Sequence, residues 1–135
     1  MQLEQLFQQL KGKKVVLIRC ADDRVSAQER ALGSLYCRLF SIASAVYEIV
    51  AEGAAWQFSQ GNGLVEAGLQ IHQHVLSVAD VLIVCIHGDC AKYGGDDFTA
   101  LEDNACATVF LRERTGKPVF LIWQPDPISL RYEIH

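Results

Sequence analysis

The sequence predicts an α/β fold with a central, mostly parallel sheet of four strands plus a C-terminal edge strand, and with helices on both faces. Short runs rich in β-branched residues alternate with segments of helical periodicity, which is typical of right-handed crossovers between parallel strands. The run 81–86 is apolar at six consecutive positions, as expected for a strand buried on both faces. Because 135 residues suffice for one core and are few for two, we expect a single domain over residues 1–135.

The elements follow from the chain in order. Strands are predicted at 15–19, 46–50, 81–86, 119–123 and 129–134, and helices at 2–11, 26–43, 64–77 and from 96 or 97 to about 115. We expect Ser26 to cap the second helix, with Glu29 completing a capping box, and Gly116 to end the fourth. A turn is predicted at 61–63. The apolar stripe of the first helix must cover either a core or a partner subunit.

Composition excludes several classes of function. A net charge of -4 and a pI near 5.5 argue against nucleic acid as a partner, since phosphate binding needs clustered Lys and Arg. No apolar run approaches the roughly 20 residues that span a bilayer, and the N-terminus has no signal-peptide pattern. We therefore expect a cytoplasmic protein that does not bind membranes. Five cysteines, an odd number without an export signal, indicate free thiols or metal ligands.

Metal-type ligands follow two of the predicted strands. Cys20 comes after the first strand, and His87 and Cys90 come after the third. In open parallel sheets, ligands bind beyond the carboxyl ends of the strands. If strands one and three are neighbours, the three side chains converge. Two thiolates and one imidazole suit Zn²⁺ and leave a fourth position for water or substrate. Bound zinc lowers the pKa of its water from 15.7 to about 7.

Two charged residues follow the first of these ligands. Asp22 lies two residues beyond Cys20 in an extended segment, so both side chains point the same way. Arg24 would keep Asp22 ionised and able to accept the proton of a metal-bound hydroxide. Simpler interpretations exist, because a single buried cysteine is common and an exposed Asp-Arg pair contributes little. We expect the other three cysteines to lie in the core: Cys37, Cys85 and Cys106.

Both motifs resemble those of the β-class carbonic anhydrases. Cys20-Ala-Asp-Asp-Arg24 resembles the family's Cys-x-Asp-x-Arg motif, and His87-Gly-Asp-Cys90 resembles its His-x-x-Cys motif. The chain would be a short and divergent member. The resemblance implies zinc bound by Cys20, His87 and Cys90, and reversible hydration of carbon dioxide to bicarbonate. It also implies a homodimer or a higher homo-oligomer, since the family completes its pocket across a subunit boundary.

The resemblance further implies that Asp22 and Arg24 form the catalytic dyad. In some members of the family the equivalent aspartate binds zinc itself, and the sequence leaves both arrangements open. Ala51-Glu-Gly-Ala54 stands where the family usually has Arg-Asn-Ala-Gly. This difference favours a second hypothesis, a zinc-binding relative that has lost catalysis. A third hypothesis is a zinc hydrolase that acts on another small electrophile.

Overall fold

The computed structural model describes residues 1–59 and 63–135, which form a five-stranded sheet and six α-helices. The strands are β1 Lys14–Cys20, β2 Ala45–Ala51, β3 Val81–His87, β4 Val119–Gln124 and β5 Glu133–Ile134. The helices are α1 Leu3–Leu10, α2 Asp23–Ser26, α3 Leu35–Ile42, α4 Gly63–Ile71, α5 Gln73–Val78 and α6 Asp97–Thr115. Within these described ranges, every helix is too short or too polar to cross a lipid bilayer.

The strand order is β2-β1-β3-β4-β5. The first four strands are parallel and β5 is antiparallel to β4. This arrangement confirms the predicted α/β class. Arg19 of β1 is in register with Cys85 of β3, so these two strands end side by side. Cys20 and His87 therefore lie at adjacent carboxyl ends, at the edge of the sheet where the sequence predicts a ligand site.

Each face of the sheet is covered by its own apolar layer. On one face, alternate residues of β1 and β3 such as Val16 and Leu82 pack against α5, α6 and the 3₁₀ turn Trp56–Phe58. On the other face, α1 and α3 cover the intervening residues of the same strands, including Leu17 and Ile83. The apolar stripe of α1 is buried in this second layer, so it covers the core of its own chain and does not require a partner subunit.

The predicted helix over 26–43 is wrong, because α2 ends at Ser26, residues 27–34 form turns, and only α3 at Leu35–Ile42 lies within the range. Asp22, rather than Ser26, caps the short α2, and Ser34 caps α3 by accepting from the Cys37 N–H. Gly33 separates them with a φ of +84°, which is outside the helical region. Leu32, whose spacing from Leu35 and Tyr36 fits one face of the predicted helix, is 88% exposed. Glu29 makes no capping box; its carboxylate binds Arg19 instead.

Two further boundaries differ from the prediction. The helix predicted over 64–77 is divided at His72, whose φ of -99° and ψ of 12° depart from helical values. The predicted edge strand 129–134 is reduced to β5, since the Ser129 carbonyl accepts hydrogen bonds from the side chains of Gln28 and Gln124. Of the turn predicted at 61–63, residues 61 and 62 lie outside the described residues, and Gly63 begins α4. The end of α6 at Gly116 is confirmed.

Candidate metal centre

The site is built from the last residues of two strands and the loop that follows β3. Cys20 ends β1 and His87 ends β3. Gly88 then passes so close to the chain after β4 that a Cβ would collide with the Pro125 carbonyl, and its N–H donates to the Gln124 carbonyl at 2.8 Å. Asp89 adopts a left-handed φ of 54°. This tight turn returns the chain towards β1 and brings Cys90 beside Cys20.

The three sequence-predicted ligands form one buried cluster. Their ligand atoms all lie within 4.8 Å of one another. The two sulfurs are 3.9 Å apart, and sulfurs bound tetrahedrally to zinc at about 2.3 Å would be about 3.8 Å apart. Cys20 is 5% exposed, and His87 and Cys90 are each 1% exposed. The donor set and its spacing are therefore consistent with a metal ion.

The imidazole of His87 presents one nitrogen to this cluster. Its Nδ1 lies 2.7 Å from the Gly88 carbonyl, which can only accept, so Nδ1 carries the proton in the neutral ring. Among the residues that the structure describes, the buried Nε2 has no hydrogen-bond partner. A backbone carbonyl that holds one ring nitrogen while the other binds metal is the usual arrangement of a histidine ligand. The unpartnered Nε2 is thus the strongest sign that the residues fit a metal.

Without metal, the two thiols share their protons unequally. A hydrogen bond from the Cys90 thiol lowers the pKa of Cys20, although burial opposes this shift. The pKa of Cys90 is raised, first by its hydrogen bond to Cys20 and then by burial. Burial acts to lower the pKa of His87, but interactions with Cys20 and the Gly88 carbonyl raise it overall. A metal bound by all three must therefore displace protons.

Asp22 and Arg24 lie beside the cluster and are hydrogen-bonded to each other. The guanidinium donates from Nε to Asp22 Oδ1 at 3.1 Å and from Nη2 to Oδ2 at 2.8 Å. The backbone N–H of Arg24 also donates to Oδ1. These hydrogen bonds lower the pKa of Asp22 to about 2, so the carboxylate is ionised at neutral pH. Asp22 Oδ2 is 3.8 Å from His87 Nε2.

A cavity of about 490 Å³ opens over the cluster. Besides the residues already named, its lining includes Glu52, Gly53 and Lys92, so its wall carries charges of both signs. The Lys92 ammonium lies 3.6 Å from the centre of the Trp56 ring. Gly53 has a φ of +70°, and the fully buried Asn104 fixes this loop by accepting from the Ala55 N–H and donating to the Gly53 carbonyl.

All five sequence-predicted site residues meet at this edge of the sheet, but two residues that shape it were missed. Asp89 binds Arg24 across 65 positions, and Asn104 binds the 53–55 loop from α6. Neither separation leaves a local sequence signal. Among the other cysteines, Cys85 is buried as predicted and Cys37 is half-buried, whereas Cys106 is exposed. The prediction of a core position for Cys106 is wrong.

Comparison with known proteins identifies the fold. No family model and no curated protein matches the sequence. A β-carbonic anhydrase isoform I from the protozoan Trichomonas vaginalis matches the structure with a TM-score of 0.56 and 11% identity, covering 99% of this chain and 97% of that one. One of two tetrameric β-carbonic anhydrases from the ascomycete Sordaria macrospora gives a TM-score of 0.49 and 12% identity, with 98% and 85% covered. The chain has the β-carbonic anhydrase fold over nearly its whole length.

Proposed function

We propose that this protein is a carbonic anhydrase-like zinc lyase that catalyses the reversible hydration of carbon dioxide to bicarbonate. Zinc would be bound by Cys20, His87 and Cys90. The observation that carries the proposal is the buried, unpartnered His87 Nε2 beside two sulfurs at the separation of tetrahedral ligands. The fold supports it, since this cluster lies at the carboxyl edge of a β-carbonic anhydrase-like sheet.

The chain's own residues would bind, orient and shield the reacting groups. Zinc, when bound, supplies a hydroxide nucleophile at neutral pH. Asp22 is ionised and lies 3.8 Å from His87 Nε2. It would accept a hydrogen bond from a group at the fourth position and so orient that group's lone pair. Arg24 holds both carboxylate oxygens of Asp22 in that orientation. The burial of all three ligands keeps bulk water from the ligand atoms.

Metal content and catalysis test the proposal together. We expect close to one zinc per chain after purification without chelator, and hydration of carbon dioxide in a stopped-flow pH-indicator assay. Removal of zinc by a chelator should abolish the activity, and added zinc should restore it. Less than half an equivalent of zinc would contradict the metal site. Full zinc without activity over pH 6 to 9.5 would remove the anhydrase function.

The Asp22→Asn variant separates the role of the dyad from that of the ligands. An amide cannot accept hydrogen bonds at both of its terminal atoms, so we expect activity to fall by at least about 100-fold, within the range of general acid–base contributions. Zinc content should remain unchanged, because Asp22 is not one of the proposed ligands. Loss of zinc from this variant would instead identify Asp22 as a fourth ligand.

The cavity wall favours a second candidate, a zinc protein that binds or acts on another small molecule. Glu52 and Lys92 place charges beside the cluster, which a neutral gas molecule does not require. Glu52 belongs to the Ala51-Glu-Gly-Ala54 segment that departs from the family pattern. A double variant, Glu52→Gln with Lys92→Met, distinguishes the candidates. If the protein is an anhydrase, the double variant should hydrate carbon dioxide within about threefold of the parent rate. If the site is selective for a charged ligand, the double variant should no longer bind that ligand.

We also propose that the protein forms a homodimer or a higher homo-oligomer. In the part of the chain that the structure describes, β2 pairs only with β1, so its outer edge is unpaired. Val50 on that strand is 46% exposed. Unpaired edges with apolar side chains favour association with another chain. Analytical ultracentrifugation should give a mass of at least twice 15.0 kDa, and a monomer at micromolar concentration would contradict the proposal.

A further inference from the structure

We propose that Asp89 is a positioning residue that clamps Arg24 and thereby keeps the Asp22 carboxylate on Arg24 and away from the metal position. This inference rests on the proposed metal site for its effect at the fourth ligand position. The clamp itself depends only on contacts within the chain. Asp89 lies between two of the proposed ligands in sequence, yet its own side chain is directed to Arg24 rather than to the metal cluster.

Arg24 is held from two sides. Its Nη1 donates to Asp89 Oδ2 at 2.9 Å, and its Nη2 donates to the Asp89 backbone carbonyl at 2.9 Å. The adjacent edge of the guanidinium, formed by Nε and Nη2, donates to both carboxylate oxygens of Asp22, so Nη2 takes part in both contacts. Because a guanidinium is planar and its donors form a rigid fork, contacts at Asp89 fix the direction in which the remaining donors point.

Neighbouring contacts hold the backbone of Asp89 in the conformation that brings it to Arg24. Its φ of 54° lies in the left-handed region, which Asp and Asn tolerate better than most residues. The Asp89 N–H donates to Asp97 Oδ1 at 2.9 Å, at the start of α6. Gly88 allows the close approach to the Pro125 carbonyl. The loop therefore presents the carboxylate and the carbonyl of Asp89 to Arg24 from a fixed base.

The position of Asp22 makes the clamp consequential. Its Oδ2 lies only 3.8 Å from His87 Nε2, so a small rotation of the carboxylate would bring an oxygen to the metal. Carboxylate oxygen is an ordinary zinc ligand. While Arg24 occupies both oxygens, this rotation costs two charge-assisted hydrogen bonds. A looser Arg24 lowers that cost and allows Asp22 to compete for the fourth position.

The effect should be modest, because the side chains of Arg24 and Asp89 are 41% and 74% exposed. Exposed ion pairs are weakened by solvent. We expect a shift of about three- to fivefold in the equilibrium between the two placements of Asp22, within the range measured for exposed pairs. The test must therefore measure the fourth position and the Arg24 side chain directly, rather than rely on overall stability.

Two variants remove the carboxylate while tolerating the left-handed backbone: Asp89→Asn and Asp89→Gly. The cobalt-substituted proteins are titrated with imidazole at pH 8, where this ligand is neutral, and the visible spectrum is followed. A neutral probe is used because loss of a negative charge by itself would strengthen binding of an anion. We expect both variants to bind imidazole about three- to fivefold more weakly, with unchanged cobalt content. Glu113→Gln, which makes the same charge change at a distant position on α6, should match the parent protein.

The metal-free protein gives the second readout. Hydrogen exchange of the Arg24 Nε–H, followed by nitrogen-15 NMR, should be at least about threefold faster in both Asp89 variants than in the parent protein. Unchanged exchange together with unchanged imidazole affinity would overturn the proposal. A normal cobalt response in a protein that does not hydrate carbon dioxide would support the clamp and remove only the proposed activity. Failure to bind metal would remove the activity and the fourth-position effect, and the exchange rates would then decide the clamp alone.

Discussion

Arg19 and Cys20 are neighbours at the end of β1, and their side chains enter two different buried polar clusters. Arg19 is 6% exposed, and its guanidinium makes four hydrogen bonds to protein groups. It donates to Glu48 at 2.7 Å, to Glu29 at 2.6 Å, to the Ser26 hydroxyl at 3.1 Å and to the Cys20 carbonyl at 3.2 Å. Arg19 is thus paired with two carboxylates, and protein groups supply the partners of its hydrogen bonds.

The cluster around Cys20 is not satisfied in this way. The Cys20 sulfur lies 3.9 Å from the Cys90 sulfur, and His87 Nε2 has no hydrogen-bond partner within residues 1–59 and 63–135. Leaving a buried nitrogen unpaired costs about 1–3 kcal/mol. A complete polar cluster fixes structure, whereas an incomplete one whose lone pairs converge is suited to an external ligand. The same strand end therefore provides a structural cluster on one face and a candidate ligand site on the other.

The largest expected effect is loss of metal binding from the incomplete cluster. Cys90→Ser replaces a soft thiolate by a hydroxyl, which is a weak zinc ligand. We expect zinc affinity to fall by more than about 100-fold, which exceeds the loss typical of mutating a residue that only hydrogen-bonds a ligand. A competition assay with a chromophoric chelator measures this. Cys106→Ser, which changes an exposed thiol on α6, is the matched control. Equal loss of zinc in both variants would mean that these thiols bind metal without a defined site.

Disruption of the Arg19 cluster should lower the stability of the protein without changing its metal content. Arg19→Met leaves Glu29 and Glu48, which are 30% and 23% exposed, without their cation. We expect the free energy of unfolding to fall by about 3 kcal/mol at pH 7, as for other broken buried pairs, in urea denaturation. Zinc stoichiometry should stay the same. Loss of zinc with normal stability would show that the two clusters are not separate in function.

Asn104 offers a second complete polar group, on the α6 face. Its side chain is fully buried and hydrogen-bonds the Ala55 N–H and the carbonyls of Gly53 and Ala100. Asn104→Ala leaves the buried Ala55 N–H unpaired and removes the side-chain donor from the Gly53 and Ala100 carbonyls, so we expect a loss of about 2 kcal/mol in the free energy of unfolding. Cys106→Ala, on the exposed side of the same helix, should change it by less than about 0.5 kcal/mol. A neutral Asn104→Ala would contradict the structural role.

The smallest expected effect is a stabilisation with a defined pH dependence. Burial, followed by the neighbouring carboxyl group of Glu48, raises the pKa of Glu29. Folding therefore favours the protonated form of Glu29. This form contributes its full stabilisation when the pH is below the pKa of Glu29 in the unfolded chain, and the stabilisation is lost as the pH rises through the pKa in the folded protein. Glu29→Gln, which keeps an acceptor for Arg19, should stabilise the protein by up to about 1 kcal/mol at pH 7 and not at pH 4. Urea denaturation at the two pH values checks the sign.

The four parallel strands and the cluster of Cys20, His87 and Cys90 could be predicted from the sequence because their signals are local. Each of the four parallel strands is a short run of mainly apolar residues, and alternation along the run determines which side chains share a face. The motifs at Cys20 and His87 follow such runs directly. In a parallel sheet this is enough to bring them to one edge. The prediction of one helix over 26–43 was wrong because the apolar spacing continues through residues 27–34, which form turns. Gly33 in this segment has a left-handed φ, which a helix does not allow.

Only the tertiary structure decided which polar groups are satisfied. Glu29 fits a capping box by spacing, yet it binds Arg19 because the chain between α2 and α3 places it over β1. In the sequence, Asp89 is simply one of the two residues between His87 and Cys90. The fold brings its carboxylate to Arg24. The unpartnered Nε2 of His87 likewise follows from the Gly88 carbonyl holding the other nitrogen. Residue types and spacing determine which ligands a chain can offer, whereas contacts between distant segments determine which lone pairs remain free, because folding satisfies buried polar groups wherever geometry allows.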